Sequence, residues 1–431
     1  MTYPQVLIVG RVAWTATQST LSSIFHGYPS DKLAYICIET QEPDFGVCAN
    51  HYQISEIALI KRLIRWNTKT GHRRESSAST HEEKSLEQSE VSTMGWVRKH
   101  RSDFFLYIRE LLWSLGGWKS KELKEFIEDF KPDVLFFVGD PLPLINRLQR
   151  YVLRLTGLPA AIFMMDDIWS YKGDQSLLRS LLRRETKRLI PACQAHFAIS
   201  EMMKREYDEL FNINCVILTK GIASKERVIN HLVLHHPIRI IYTGKLIYGR
   251  DKSLSKVAEA LYEINSAGET KAELNIYTQT EITPQLDKAL SIAGCSFLHK
   301  PVPYSEVGRI LDMSDILMLV ESLEENLKYI ARLSFSTKVT DYLASGKCIV
   351  AIGDKEIAPI DYLLENNAAQ VCTSYDEIPT KVKELIENKE KVSELARNAF
   401  RLGQEKHGEE LMHKRLLKVL NEIKSNKTMI I

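Results

Sequence analysis

Short apolar runs alternate with helix-like segments along this chain of 431 residues, and the pattern leaves few folds open. Continuous apolar runs that are bounded by turn residues and separated by helices predict a parallel sheet buried on both faces. The predicted strands of the first half are residues 5–10, 33–38, 133–139, 160–165, 195–200 and 215–218. Those of the second half are residues 239–243, 273–277, 296–298, 316–320, 348–351 and 369–372.

Two such series imply an α/β protein with two doubly wound, Rossmann-like domains. We place the domains at residues 1–228 and 229–431, and the second includes terminal helices at 377–401 and 409–425. Residues 68–93 are rich in Ser, Glu, Lys and His, which predicts a mobile loop. Ligands in such folds bind beyond the carboxyl ends of the strands, so we expect the site in the cleft between the domains.

Charge and cysteine content exclude several classes of function. Lys and Arg number 57 against 55 Asp and Glu, so the chain lacks the basic excess of a dedicated nucleic-acid-binding protein. The seven cysteines form no C-x-x-C pair, which favours reduced, buried thiols over disulfides or a zinc site. No apolar run reaches about 18 residues, and the chain enters its first strand without a leader, so we expect a cytoplasmic protein.

The segment 336–347 suggests a phosphate site in the second domain. Ser336 can cap a helix that begins at Thr337, which leaves backbone N–H groups and the positive end of the helix dipole for an anion. Lys338 adds a full positive charge, and Asp341 lies one turn along, where a carboxylate suits ribose hydroxyls. The alternative is an ordinary capped helix with a Lys–Asp surface pair.

A second segment, 241–250, begins as a strand and ends with cations. Gly244 allows the backbone to approach a ligand closely, and Lys245 and Arg250 could bracket a diphosphate. The alternative is that both cations are simply solvated on the surface.

The two segments, in this order, resemble the C-terminal domain of GT-B fold glycosyltransferases, in particular the retaining family 4 group. That group carries Gly-Arg-Leu with a following Lys, and later Ser-Lys-x-x-Glu-Tyr-x-Ala-x-Gly-Lys-Pro. Here the chain reads Gly244-Lys245-Leu246 with Arg250, and then Phe-Ser-Thr-Lys-Val-Thr-Asp-Tyr-Leu-Ala-Ser-Gly-Lys-Cys over 335–348. The resemblance implies the GT-B architecture, in which two Rossmann-like domains face each other across a cleft and the second holds a sugar-nucleotide donor.

The resemblance also assigns donor-binding residues in the second domain. It implies contacts to the diphosphate, the ribose and the base from Gly244, Lys245, Arg250, Val302, Ser336, Thr337, Lys338 and Asp341. One departure is Leu333, which stands where the family has a glutamate. Whether Glu321, Glu324 or Glu325 replaces that glutamate stays open at this point.

In this family the first domain binds the acceptor. Gly10, Arg11 and Trp14 form the first strand-to-helix turn and are candidate acceptor ligands, unless this is a surface turn with a packed tryptophan. Asp166 and Asp167 follow a strong strand and are candidate catalytic residues, unless they only cap a helix or form a turn. The pair is not the D-x-D of metal-dependent transferases, so no metal cofactor is expected.

Residues 96–118 combine basic and apolar side chains. Phe104, Ile108, Leu111, Leu115 and Trp118 recur at helical spacing after the basic cluster 98–101. The pattern fits either an interfacial membrane helix or an amphipathic helix that packs on the core.

The resemblance therefore implies transfer of a sugar, with retention, from a UDP-sugar or GDP-sugar to an acceptor hydroxyl. The acceptor would be a sugar or lipid-linked sugar in cell-surface polysaccharide or oligosaccharide synthesis, at the inner face of the membrane. Two alternatives remain open: a sugar-nucleotide 2-epimerase on the same fold, and a GT-B-like binding or scaffold subunit without catalysis.

Overall fold

The computed structural model describes residues 2–15, 19–39, 41–75, 103–169, 176–223, 233–266 and 268–428. These residues form two compact units, each built on one sheet. The first unit contains the described residues within 1–199, 203–218 and 413–431, and the second contains those within 200–202 and 219–412.

The sheet of the first unit has eight strands in the order β4-β3-β2-β1-β5-β6-β7-β8. All neighbours are parallel except β4, which runs antiparallel to β3. The strands are β1 (Val6–Val9), β2 (Leu33–Cys37), β3 (Asn50–Ile54), β4 (Gly71–Arg74), β5 (Val134–Val138), β6 (Ala160–Met164), β7 (Ala195–Ala198) and β8 (Cys215–Ile217). The helices are α1 (Ser19–Ile24), α2 (Glu56–Ile64), α3 (Asp103–Ser114), α4 (Lys121–Phe130), α5 (Pro143–Thr156), α6 (Leu177–Leu189) and α7 (Glu201–Phe211).

The sheet of the second unit has six parallel strands in the order β11-β10-β9-β12-β13-β14. Its strands are β9 (Ile238–Thr243), β10 (Ala272–Tyr277), β11 (Ser296–His299), β12 (Ile316–Val320), β13 (Cys348–Ile352) and β14 (Gln370–Cys372). The later helices are α8 (Arg250–Ser266), α9 (Pro284–Leu290), α10 (Tyr304–Asp312), α11 (Thr337–Ser345), α12 (Ala358–Glu365), α13 (Glu377–Glu387), α14 (Lys389–His407) and α15 (Glu409–Thr428).

In both sheets the chain adds strands on one side of the first strand and then on the other. Because parallel crossovers are right-handed, this reversal places helices on both faces of each sheet. The central strands are accordingly buried along their whole length, as β1, β2, β5, β6, β12 and β13 show. The prediction of an α/β protein with two doubly wound sheets is confirmed.

Two strands escaped the sequence analysis. β3 mixes polar and apolar residues, and β4 reads Gly-His-Arg-Arg. β4 lies inside the range predicted as a mobile loop, so for Gly71–Arg74 that prediction is wrong: the segment pairs with β3. The part of the predicted loop at 76–93 lies outside the described residues.

The end of the chain also differs from expectation. The helix predicted at 377–401 is two helices, because Asn388 caps α14 by accepting a hydrogen bond from the Lys391 N–H at 2.9 Å. Residues from 413 onward pack with the first unit, where Asn421 donates to the Thr2 carbonyl at 3.1 Å. The sequence analysis had assigned these residues to the second domain. The predicted boundary at 228/229 lies outside the described residues.

The seven cysteines are all unpaired and buried, which confirms the prediction of reduced, packed thiols. A membrane-spanning helix needs both length and high hydropathy, and no helix among the described residues combines the two.

Candidate functional site

Two segments that are distant in sequence meet at the carboxyl edge of the second sheet. Gly244 follows β9 directly, and Lys338 lies in the first turn of α11. Gly244 has φ of +151°, and a Cβ at this position would overlap the Lys338 ammonium group. The structure therefore brings together the two motifs from which the sequence analysis proposed a donor site.

Lys338 is a half-buried cation with no carboxylate close enough, among the described residues, to balance its charge. Its ammonium nitrogen lies 5.3 Å from the centre of the Tyr242 ring, over its face. Burial, with a smaller contribution from the positive charge of Arg250, lowers the pKa of Lys338 to about 8, although Glu321 opposes the shift. Within the described residues no carboxylate lies at ion-pair distance from this nitrogen, so an anionic ligand would restore its usual pKa.

The predicted helix cap is confirmed. Ser336 is the N-cap of α11, and its hydroxyl oxygen accepts a hydrogen bond from the Lys338 N–H at 3.4 Å. Thr337 is exposed at the first helical position. The amino end of α11 thus combines backbone donors, a positive dipole end and the Lys338 charge, which together suit a phosphate group.

Arg250 is the first residue of α8 and is held by Glu321. The guanidinium nitrogen lies 2.6 Å from the Glu321 carboxylate, and the two side chains are only 16% and 10% exposed. Burial is the largest single influence and lowers the pKa of Arg250, but the charges and hydrogen bonds of Glu321 and Tyr242 together outweigh it and keep that pKa above the usual value. Glu321 therefore positions the second buried cation of this site.

The other two candidate glutamates have different partners. Glu324 accepts hydrogen bonds from Lys252 at 2.9 Å and from the Tyr375 hydroxyl at 2.8 Å. Glu325 is 78% exposed and pairs with Lys328. Leu333, at the position of the family glutamate, is fully buried. Of the three glutamates, only Glu321 pairs with a cation proposed for donor binding.

The remaining donor candidates are more open. Lys245 is exposed, and its carbonyl oxygen accepts a hydrogen bond from the Tyr242 hydroxyl at 2.8 Å. Asp341 is 36% exposed and pairs with Lys220, a residue that the sequence analysis did not consider. Val302 is half-buried in the segment between β11 and α10.

In the first unit, the turn after β1 contains a tryptophan that belongs to the core and an arginine that stays accessible. Trp14 is fully buried, donates to the Ser22 hydroxyl at 3.0 Å and packs on Phe25, which are the contacts of a core side chain. Gly10 lies against the Tyr35 ring, where a Cβ would clash with the hydroxyl. Arg11 remains accessible and pairs with Asp140 at 3.0 Å.

Asp140 was missed by the sequence analysis. It is 6% exposed, and burial raises its pKa to about 6 despite the opposing charge of Arg11. It follows β5, the strand beside β1, at the point where the strand order reverses. The signal that could have found it is Gly139-Asp140-Pro141, a carboxylate placed immediately after a fully apolar strand.

The two candidate catalytic aspartates follow β6. Asp167 accepts hydrogen bonds from the Tyr207 hydroxyl and from the Trp169 N–H, both at 3.0 Å. The hydrogen bond from the Trp169 N–H joins the Asp167 side chain to the backbone two residues later, which forms an Asx turn, a common structural role of aspartate. Asp166 is exposed. No group of three or more potential metal ligands occurs in the described parts of the chain.

The basic and apolar segment 96–118 is described from residue 103. Trp113 and Trp118 are fully buried, but Ile108, Leu111 and Leu115 are exposed. The apolar stripe indicated by the spacing therefore does not face the core: three of its residues are exposed, and α3 packs through another side, which includes Trp113. The basic cluster 98–101 lies outside the described residues, as does the side chain of Phe104.

No family model and no curated protein sequence matches this chain. Solved structures do match. Alr3699/HepE from Anabaena in complex with UDP has a TM-score of 0.61 at 9% identity, over 97% of this chain and 100% of that one. Sucrose-phosphate synthase from Thermosynechococcus elongatus has a TM-score of 0.61 at 8% identity, over 98% and 99%.

A third similar structure is a putative UDP-N-acetylglucosamine 2-epimerase from Listeria monocytogenes, with a TM-score of 0.52 at 12% identity over 96% and 95% of the two chains. These identities are too low to carry an activity or a residue role to this chain. The likeness nonetheless extends over nearly its full length. The chain has the GT-B fold.

Proposed function

We propose that this protein is a glycosyltransferase that moves a sugar from a UDP-sugar or GDP-sugar to an acceptor hydroxyl with retention. One observation carries the proposal: Gly244, Lys338, Arg250 and the capped amino end of α11 come together at the carboxyl edge of the second sheet. A close backbone approach, two partly buried cations and free helix N–H groups are what a diphosphate requires.

In the proposed reaction the bond from the anomeric carbon to the diphosphate oxygen breaks, and a bond to the acceptor oxygen forms on the same face. The acceptor proton passes to the departing diphosphate, so no protein nucleophile is needed. Lys338, Arg250 and the helix end stabilise the negative charge that develops on the leaving group. The proposal includes no metal ion.

The other residues take supporting roles in the proposal. Lys245 is the outer cation for the diphosphate, Asp341 with Lys220 contacts the ribose, and Val302 contacts the base. Gly10 and Arg11 contribute to acceptor binding in the first unit. Asp166 or Asp167 contacts the sugar or positions the acceptor hydroxyl.

The proposed setting follows from the resemblance and from residues 96–118. We place the reaction in the cytoplasm, at the inner face of a membrane, in the synthesis of a polysaccharide or a lipid-linked oligosaccharide. The acceptor is then a sugar or a lipid-linked sugar.

Calorimetric titration with UDP, GDP, ADP and their sugar conjugates tests the donor site directly. We expect one nucleotide to bind in the micromolar range and the binding to be lost in Lys338→Ala. Lys383→Ala, which removes an exposed lysine of α13, is the matched control and should bind as the wild type does. Absence of binding by every nucleotide would contradict the proposal.

Transfer itself is tested by donor-dependent release of UDP or GDP in the presence of candidate acceptors. The double variant Lys338→Ala, Asp341→Ala should release little nucleotide. Release at the wild-type level by this variant would show that the proposed site is not the site of reaction.

A sugar-nucleotide 2-epimerase is the second candidate, because an epimerase is among the similar structures. An epimerase would interconvert two sugar nucleotides without any acceptor and would exchange the hydrogen at C2 with solvent. Incubation of UDP-N-acetylglucosamine in deuterated water, followed by NMR, separates the two candidates. Deuterium at C2 favours the epimerase, and its absence together with acceptor-dependent nucleotide release favours the transferase.

A further inference from the structure

Two neighbouring helices of the first unit carry an unusual concentration of exposed apolar side chains. We define the α2–α3 surface as Ile60, Leu63, Ile64, Trp66, Ile108, Leu111 and Leu115. Each of these side chains is between 46% and 88% exposed. Ile64 and Trp66, at 88% and 80%, are more exposed than most surface hydrophobic residues of the described chain. Large exposed apolar patches mark interaction sites in soluble proteins.

The spacing places these residues in two stripes. Ile60, Leu63 and Ile64 share one face of α2, while Ile108, Leu111 and Leu115 share one face of α3 and the turn after it. The opposite sides of both helices pack inward, through Ala58 on α2 and Trp113 on α3. Each helix therefore has a packed side in addition to its exposed apolar stripe.

The two helices are fixed against each other by a buried carboxylate. Glu56, the first residue of α2, accepts hydrogen bonds from Arg109 and from the Trp113 indole N–H, both at 2.7 Å. At the other end, the Thr70 hydroxyl donates to the Gly117 carbonyl at 3.0 Å. The surface is thus held in place from both ends.

The charges on α2 beyond its first residue, and on the turn that follows it, have one sign. Between residues 57 and 69 every charged side chain is a cation: Lys61, Arg62, Arg65 and Lys69. None of the four pairs with a carboxylate among the described residues. The carboxylates of these helices whose side chains the structure describes, Glu56 and Glu110, are buried and paired with Arg109 and Arg147. The α2 side of the exposed surface is therefore apolar and basic.

We propose that the α2–α3 surface docks the protein on an anionic lipid bilayer. Apolar side chains that enter the headgroup region, a tryptophan at the boundary and flanking lysines and arginines are the features of interfacial binding. A second copy of the chain fits less well, because a symmetric contact would oppose two sets of cations without a carboxylate between them. The inference deepens the membrane contact of the proposed function by naming the surface and the lipid charge.

Co-sedimentation with lipid vesicles tests the proposal on the whole chain of 431 residues. The probes are vesicles of phosphatidylcholine alone and of phosphatidylcholine mixed with an equal amount of phosphatidylglycerol. We expect partitioning onto the mixed vesicles to exceed that onto the neutral ones at least about tenfold, and to fall as salt is added. Equal binding to both, or no binding to either, would overturn the proposal.

Two sets of variants locate the binding surface. Ile64→Ser, Trp66→Ser, Leu111→Ser together should lower the partition coefficient about tenfold or more. Ile282→Ser, Tyr262→Ser, Leu364→Ser together, at exposed positions of the second unit, form the matched control and should leave it unchanged. Wild-type partitioning by the first triple variant would overturn the proposal.

The charge contribution is measured separately. Lys61→Glu, Arg65→Glu should weaken binding to the mixed vesicles by about fivefold or more for each residue, whereas Lys383→Glu, Lys389→Glu should not. If the wild type instead forms dimers that the triple serine variant abolishes, and binds no vesicles, the surface belongs to a second copy. UDP titration of the same samples distinguishes failure of docking from failure of donor binding.

Discussion

The ammonium group of Lys338 occupies the space into which a side chain on Gly244 would project. The glycine at the end of β9 is therefore needed for two reasons, since its φ of +151° is unfavourable for other residues and its missing side chain leaves room for the cation. Through this contact the glycine of the first motif determines where the charge of the second motif lies.

Substituting Gly244 by alanine should weaken nucleotide binding about tenfold, because the methyl group displaces Lys338 from the amino end of α11. Calorimetry with the nucleotide that the wild type binds measures the effect. The control is Gly268→Ala, since Gly268 has a nearly identical φ of +150° but open space around its Cβ position. An equal loss of affinity in both variants would mean that backbone strain, rather than displacement of Lys338, is responsible.

Binding of a UDP-sugar should weaken above about pH 8. Burial holds the pKa of Lys338 near 8 in the free protein, and a bound diphosphate raises it, so binding above this pH requires uptake of a proton. The affinity should fall by about tenfold per pH unit until the pKa of the complex is reached, and stay constant below about pH 7. Titrations from neutral to alkaline pH measure the profile.

In Lys338→Met this pH dependence should disappear, leaving weak and pH-independent binding. The methionine keeps an unbranched side chain over the Tyr242 ring but carries no proton. A profile of the same shape in the variant and the wild type would assign the titration to another group.

Removing the charge of Glu321 should destabilise the protein. Glu321→Gln leaves Arg250 largely buried without its carboxylate, so the free energy of unfolding should fall by about 3 kcal/mol. Urea unfolding measures the change. Glu325→Gln is the control, because Glu325 is exposed and Lys328 keeps Asp354 and Glu356 as partners, and the loss there should stay below about 1 kcal/mol.

Asp140 should reduce stability at neutral pH. Burial raises its pKa in the folded state to about 6, so the folded protein binds more protons than the unfolded chain between that pH and the usual pKa of aspartate. The contribution of Asp140 to the free energy of unfolding is therefore most favourable at low pH, and it is lost as the pH rises through about 6. The advantage of Asp140→Asn over the wild type should therefore grow by about 1 kcal/mol between pH 5 and pH 8.

Urea unfolding at the two pH values checks this prediction, with the exposed Asp129→Asn as the control. A constant difference between wild type and Asp140→Asn would show that the carboxyl does not titrate in this range. A destabilising carboxylate beside Arg11, at the edge of the sheet, is consistent with a role in ligand binding.

The strands that could be predicted from the sequence are those whose burial on both faces makes every position apolar. Strands such as Val134–Val138 are apolar at every position because helices cover both faces, and they were found. β3 and β4 lie toward the edge of the first sheet, and β4 carries charged side chains, so the pattern of a buried strand is absent there. The break at Asn388 was missed because the residues on both sides have helical composition.

The sequence predicted the two motifs of the candidate site, but it did not predict the ion pairs that their residues form with other segments. The cap at Ser336 depends on residues that are close in sequence, so it could be predicted. The pairs Arg250–Glu321 and Lys220–Asp341 join segments that only the folded sheet brings together, and one sequence contains no signal for them. Asp140 was missed for a similar reason, because its importance comes from its position beside β1.

The first unit contains both ends of the described chain. Lys424, near the end of α15, pairs with Asp133 at 2.7 Å, and Asn421 contacts Thr2. During synthesis the ribosome completes all of the second unit before these residues emerge. The half of the protein that is made first therefore finishes folding last, so a chain that stalls before residue 413 would expose the part of the first unit that α15 covers.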